Sequence, residues 1–73
     1  MTRRLTAVIE REGNLYVALC PELDIVSQGN TIEESRNNLR EAIELFFECA
    51  SKEEVKSRFH DEVYVTQLEV SIG

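Results

Sequence analysis

From Leu5 to Glu10 a period of two puts Leu5, Ala7 and Ile9 on one face, and from Leu15 to Cys20 it puts Leu15, Val17 and Leu19 on one face. A period of two marks strands. Between the two runs, Arg11-Glu12-Gly13-Asn14 contains a Gly-Asn pair able to take positive φ, which predicts a hairpin. Pro21 has no backbone donor and stops the second strand; Glu22-Leu23-Asp24 forms a short connection, and Ile25-Val26-Ser27-Gln28 extends again. Gly29-Asn30 ends this third strand of a meander.

Thr31-Ile32-Glu33-Glu34 has capping-box spacing and opens a helix. At about 100° per residue, Ile32, Leu39, Ile43, Phe46 and Ala50 point within about 40° of one direction, flanked by Ala42 and Phe47. Glu34, Glu41 and Glu48 recur every seventh position on the opposite side, with Leu45 beside them. Val55 and Phe59 would be out of phase in an unbroken helix. A break near Ser51 is therefore expected, with Ser51-Lys52-Glu53-Glu54 capping a short second helix that ends near His60-Asp61. The segment Val63 to Ile72 is β-branched and aromatic, with Tyr64, Thr66, Leu68, Val70 and Ile72 on one face, and reads as a last strand. The order is β-β-β-α-(α)-β, an α+β fold with helices on one side of one sheet. A right-handed crossover would place the last strand beside the first, giving the spatial order 3-2-1-4 with an open edge suited to self-pairing or to a partner.

The chain's 73 residues make a single domain, 1-73, and 42% apolar with 30% charged residues is a globular composition. Eight Lys and Arg against fourteen Asp and Glu give 8 − 14 = −6, which disfavours direct nucleic-acid binding and favours a basic partner. Arg3, Arg4 and Arg11 are offset by Glu10 and Glu12. No leader follows the Met1-Thr2-Arg3-Arg4 start and no run is long enough to span a membrane, so a cytoplasmic protein is expected.

Catalytic chemistry lacks a convergent set of groups. His60 is alone among charged neighbours and reads as a solvated residue. Cys20 and Cys49 fit neither a metal ladder nor a disulfide framework and read as small buried thiols. Consecutive carboxylates of the Glu34/Glu41/Glu48 stripe lie about 10 Å apart along the axis, too far for one ion. No cofactor or metal is expected. The stripe is either a plain solvated face or an acidic docking surface, and Leu45, an apolar side chain flanked by Glu41, Glu44 and Glu48, favours docking. The candidate partner-binding residues are thus Glu34, Glu41, Glu44, Leu45 and Glu48.

The segments Tyr16-Val17-Ala18-Leu19-Cys20-Pro21-Glu22-Leu23-Asp24, Ser27-Gln28-Gly29, Thr31-Ile32-Glu33-Glu34 and Asn38-Leu39-Arg40-Glu41-Ala42-Ile43-Glu44-Leu45, in that order, resemble the HicB family of antitoxins. The resemblance covers Leu5 to about Glu48. It implies a truncated ribonuclease H-like fold, β-β-β-α-β, and a protein that binds and masks HicA, a small basic toxin that cleaves messenger RNA. Many HicB proteins carry a C-terminal DNA-binding module; here the sequence stops at Gly73 after the last strand, so operator binding is not carried over. Ser35 stands where relatives often have Ala, Asn30 where Asp is frequent, and Lys52 to His60 is an atypical link. Ribonuclease H enzymes hold metal with a carboxylate in mid first strand, whereas Leu5 to Ile9 has none before Glu10, so nuclease activity is not expected. The expectation is a homodimeric antitoxin; the alternative is an orphan homo-oligomeric interaction module with no cognate toxin.

Overall fold

The computed structural model describes residues 3–73; the leader reading of Met1 and Thr2 lies outside them. Three antiparallel strands, β1 (Val8–Glu12), β2 (Leu15–Cys20) and β3 (Ile25–Gly29), form a sheet of order β1-β2-β3. A long helix, α1 (Ile32–Cys49), and a short one, α2 (Lys52–Arg58), follow. Gly13 takes φ +61° at the first position of the two-residue β1–β2 loop, where a type II′ turn needs it.

Register decides which face the helix covers. Ile9 pairs with Ala18 and Ala18 with Ser27, and this row, with Cys20 and Ile25, lies under α1. The row Val8, Leu19 and Val26 lies on the opposite, uncovered face, where Val26 is exposed. The buried core is Ala18, Cys20, Leu23 and Leu39, with Leu5, Ile9, Ile25, Ile43, Phe46 and Phe59 packed against it.

α1 begins where Thr31 accepts from the Glu34 amide at 3.0 Å, and the Glu34 carboxylate accepts from the Asn30 amide at 3.1 Å. Its inward face is rotated from the expected direction. Ser35 is fully buried, whereas Ile32 is 56% exposed. Gly29 explains this: a Cβ there would stand 2.6 Å from the Ser35 amide nitrogen, so β3 and the first turn of α1 touch backbone to backbone with only a serine between. Ser35 satisfies its hydroxyl by donating to Ile32 O at 2.8 Å.

The predicted break holds. Ser51 caps α2 with both bonds of a capping box, and Val55 and Phe59 turn inward, half-buried. The turn at residues 21–24 joins the pieces. Glu22, 9% exposed, accepts from the Thr6 amide at 3.1 Å, the Thr6 hydroxyl at 2.6 Å and the Cys20 thiol at 3.4 Å. The β1–β2 ladder ends at the Val8–Leu19 pair, and beyond it the Glu22 carboxylate, rather than a strand carbonyl, accepts the Thr6 N–H. β1 therefore begins at Val8 rather than Leu5. Arg58 donates to Leu23 O at 2.8 Å and Asp24 O at 3.1 Å, and the His60 amide donates to Glu22 O at 2.7 Å.

The fourth strand is corrected. Residues 63–73 carry no strand, so the sheet order is 3-2-1 without a member 4. Leu68 is 84% and Ile72 93% exposed. β propensity needs an edge to pair with, and residues 63–73 pair with none.

Two outcomes follow from these contacts. Burial alone would raise the Glu22 pKa, but the hydrogen bonds from Thr6 and Cys20 outweigh it and hold the group below its ordinary 4.5. The unfolded chain then takes up the proton first, so Glu22 stabilises fully above about pH 4.5 and the contribution fades as pH falls through the lower folded value. Glu22→Gln should cost about 2 kcal/mol at neutral pH and flatten the acid limb of stability measured by urea unfolding. Gly29→Ala should cost about 1–3 kcal/mol in the same assay by forcing β3 from α1.

Candidate docking face on the long helix

α1 carries Glu33, Glu34, Glu41, Glu44 and Glu48 against Arg36 and Arg40, so its charge is 2 − 5 = −3. The five candidate residues are all exposed, but their local roles differ. Glu34 is occupied by the N-terminal cap, bonded to the Asn30 amide, and sits about two turns from Glu41, the next member of the stripe. Its charge also suits the positive end of the helix.

Glu41, Glu44 and Glu48 form a different group. They flank Leu45, which is 59% exposed, at the preceding turn, the neighbouring position and the following turn. Among the described residues the ion pairs are Arg3–Asp61 and His60–Asp24, and neither involves these glutamates. The last turn of α1 has no basic residue, so Glu48 faces the negative end of the helix dipole and opposes it. A carboxylate in that position does nothing for the helix. The arrangement presents one apolar side chain ringed by unpaired negative charge, suited to a surface that offers Lys or Arg around a small apolar recess.

The other candidate groups do not converge. His60 is exposed, its Nε2 3.2 Å from an Asp24 carboxylate oxygen, and it links the chain after α2 to the 21–24 turn. Asp24 adopts φ 54°, a left-handed conformation that Asp tolerates better than most residues. Cys20 is buried; desolvation first, then its bond to the Glu22 carboxylate, pushes its thiol pKa up, away from reactive thiolate. Cys49 is exposed, contrary to the expectation of two buried thiols, because it lies about 100° from the packed direction on α1. The later start of β1 puts Glu10 in mid-strand, but its register neighbours are Val17 and, one strand further, Gln28. Among the described residues, no three His, Cys, Asp or Glu side chains are grouped to hold a metal ion, and no helix is long and apolar enough to cross a membrane.

Sequence reasoning missed Glu22. No local rule singles it out, because its role depends on Thr6 lying opposite the end of β2, which only the register shows.

The chain is similar to the "UPF0150 protein" of Helicobacter pylori (strain J99), 49% identical over 43 residues. The match covers 58% of this chain and 60% of that relative, so the chain spans about three-fifths of the curated relative's length. No family model matches, and no solved structure matches significantly.

The two ends of the acidic stripe should separate in a stability measurement. Glu34→Ala should lower stability by about 1 kcal/mol through loss of the cap, whereas Glu48→Lys should leave it unchanged or raise it by about 0.5 kcal/mol by favouring the dipole, both read by thermal unfolding.

Proposed function

We propose that this chain is a HicB-type antitoxin, a cytoplasmic binding protein without catalysis of its own that masks a small basic mRNA-cleaving toxin of the HicA type. The observation that carries the reading is the exposed Leu45 ringed by Glu41, Glu44 and Glu48. It is an acidic surface that makes no ion pair among the described residues and, at Glu48, stands against the helix's own electrostatic preference. The ordered CPELD, SQG and TIEE segments support the family reading, as does the similarity over 43 residues to the Helicobacter pylori relative.

Masking needs no reactive group. A basic nuclease presents Lys and Arg around the groove that receives RNA phosphates, and an acidic helix laid there excludes the substrate sterically while matching its charge. Opposite net charge accelerates the encounter, and a buried leucine at the centre of the contact slows separation. Glu34 is left out of this surface because its carboxylate is held by the cap.

Co-expression with the product of the adjacent open reading frame tests the proposal: relief of growth arrest and a co-purifying complex are expected. Glu41→Lys with Glu48→Lys should weaken that complex by about 10-fold or more, chiefly through a slower association rate that also falls with added salt, without loss of thermal stability. Unchanged affinity would place the interface elsewhere. Failure to find any basic partner would favour the orphan homo-oligomeric module.

A further inference from the structure

The tail at residues 62–73 has strand chemistry and no strand. Among the described residues it makes no backbone-to-backbone hydrogen bond after the one from His60. Tyr64, Leu68, Val70 and Ile72, spaced for one face of a strand, are all exposed. The Cα radius of gyration is 14.2 Å, against about 11 Å for a compact chain of this length, and the longest dimension is 48 Å. A segment this apolar, with its donors and acceptors unused, is incomplete as it stands.

The body holds a complementary vacancy. An open groove of about 1100 Å³ runs between residues 3–7 and α1, floored by Leu5, Ala7, Ile43 and Phe47. Residues 3–7 lead directly into β1, which among the described residues pairs with β2 alone and so has one free side. Arg4, Arg36 and Arg40 line the groove, with Glu44 and Glu48 toward the helix C-terminus. The tail from Asp61 onward carries Asp61, Glu62 and Glu69 and no Lys or Arg. An acidic apolar segment and an apolar groove edged by arginines beside an open strand edge match in chemistry and charge.

The hinge decides whose groove is filled. The His60 amide bonded to Glu22 O, the Arg3 guanidinium 3.5 Å from Asp61 and stacked 4.2 Å from the Phe59 ring centre, and Arg58 on the 21–24 turn together fix the exit of the tail. Beyond that exit Tyr64, Leu68, Val70 and Ile72 are exposed, and none of them lines the groove of its own chain. We propose that a second copy of this chain receives it: the tail of each protomer adds as a strand to β1 of the other and lays Tyr64, Leu68 and Val70 in the other's groove. The exchange is reciprocal about a two-fold axis, so both edges close at once and no open filament results. It explains why each chain shows both an unsatisfied strand and an unsatisfied edge. The groove shares Glu44 and Glu48 with the proposed docking face, but the inference concerns the chain's contact with itself and does not depend on which basic protein α1 engages.

The test uses the full chain. Analytical ultracentrifugation from micromolar to near-millimolar concentration should show a dimer, and isotope-filtered NOEs between labelled and unlabelled copies should connect Leu68 and Val70 to Val8–Glu12 or Phe47 across protomers. Leu68→Asp with Val70→Asp should raise the dimer dissociation constant by about 100-fold or more while the far-ultraviolet helix signal persists. A dimer that survives this variant, or a wild-type monomer throughout the range, overturns the proposal. So does protection of the tail amides without cross-protomer NOEs, which would mean closure within one chain. A variant that loses its helix signal is replaced by Tyr64→Ser, whose exposed side chain contributes nothing to the isolated body and whose effect on dimerisation must again be a weakening.

Discussion

The Glu22 carboxylate is the contact on which the other parts of this small body depend. It stands just past the end of β2, where the ladder stops, and it takes the amide and hydroxyl of Thr6 from the segment leading into β1. A charged group this buried would destabilise the fold without partners. With three donors around it, it ties the entry of β1 to the exit of β2. The same turn supplies Leu23 to the core and the carbonyl oxygens that hold Arg58 and His60, so the segment leaving α2 is fixed to it as well.

This gives the CPELD segment a physical meaning. Its cysteine is a buried wall of the core, its proline ends a strand, its glutamate replaces the missing ladder, its leucine is fully buried and its aspartate turns the chain at positive φ. Each residue builds the fold. The proposed docking surface lies elsewhere, on the C-terminal half of α1, where acidic residues gather around one exposed leucine. Resemblance to the HicB family is therefore carried by residues that specify a scaffold, while the proposed binding residues are ones whose chemistry is set by exposure and charge.

The hairpin, the third strand, the Thr31 cap and the break at Ser51 were all legible in the sequence because each rests on local rules: period two, a Gly-Asn turn, and two Ser or Thr boxes with Glu three positions on. The inward face of α1 was legible only to within a turn. Periodicity ranks Ile32 with Leu39 and Ile43, but a helix start extends beyond the sheet, and the close approach of Gly29 selects Ser35 for the buried position. The stripe of three glutamates was legible as a spacing, not as a function: Glu34 is taken by the cap and Glu41 and Glu48 are not.

By itself the sequence determined the types of element, their order, their caps and the excess of negative charge, because these follow from neighbours within a few positions and from composition. The tertiary structure decided the role of Glu22, the face of the sheet that the helix covers, the exposure of Cys49 and the fate of residues 63–73. Those outcomes depend on register and on which groups meet across long separations, and a strand, unlike a capped helix, exists only where another edge completes its hydrogen bonds.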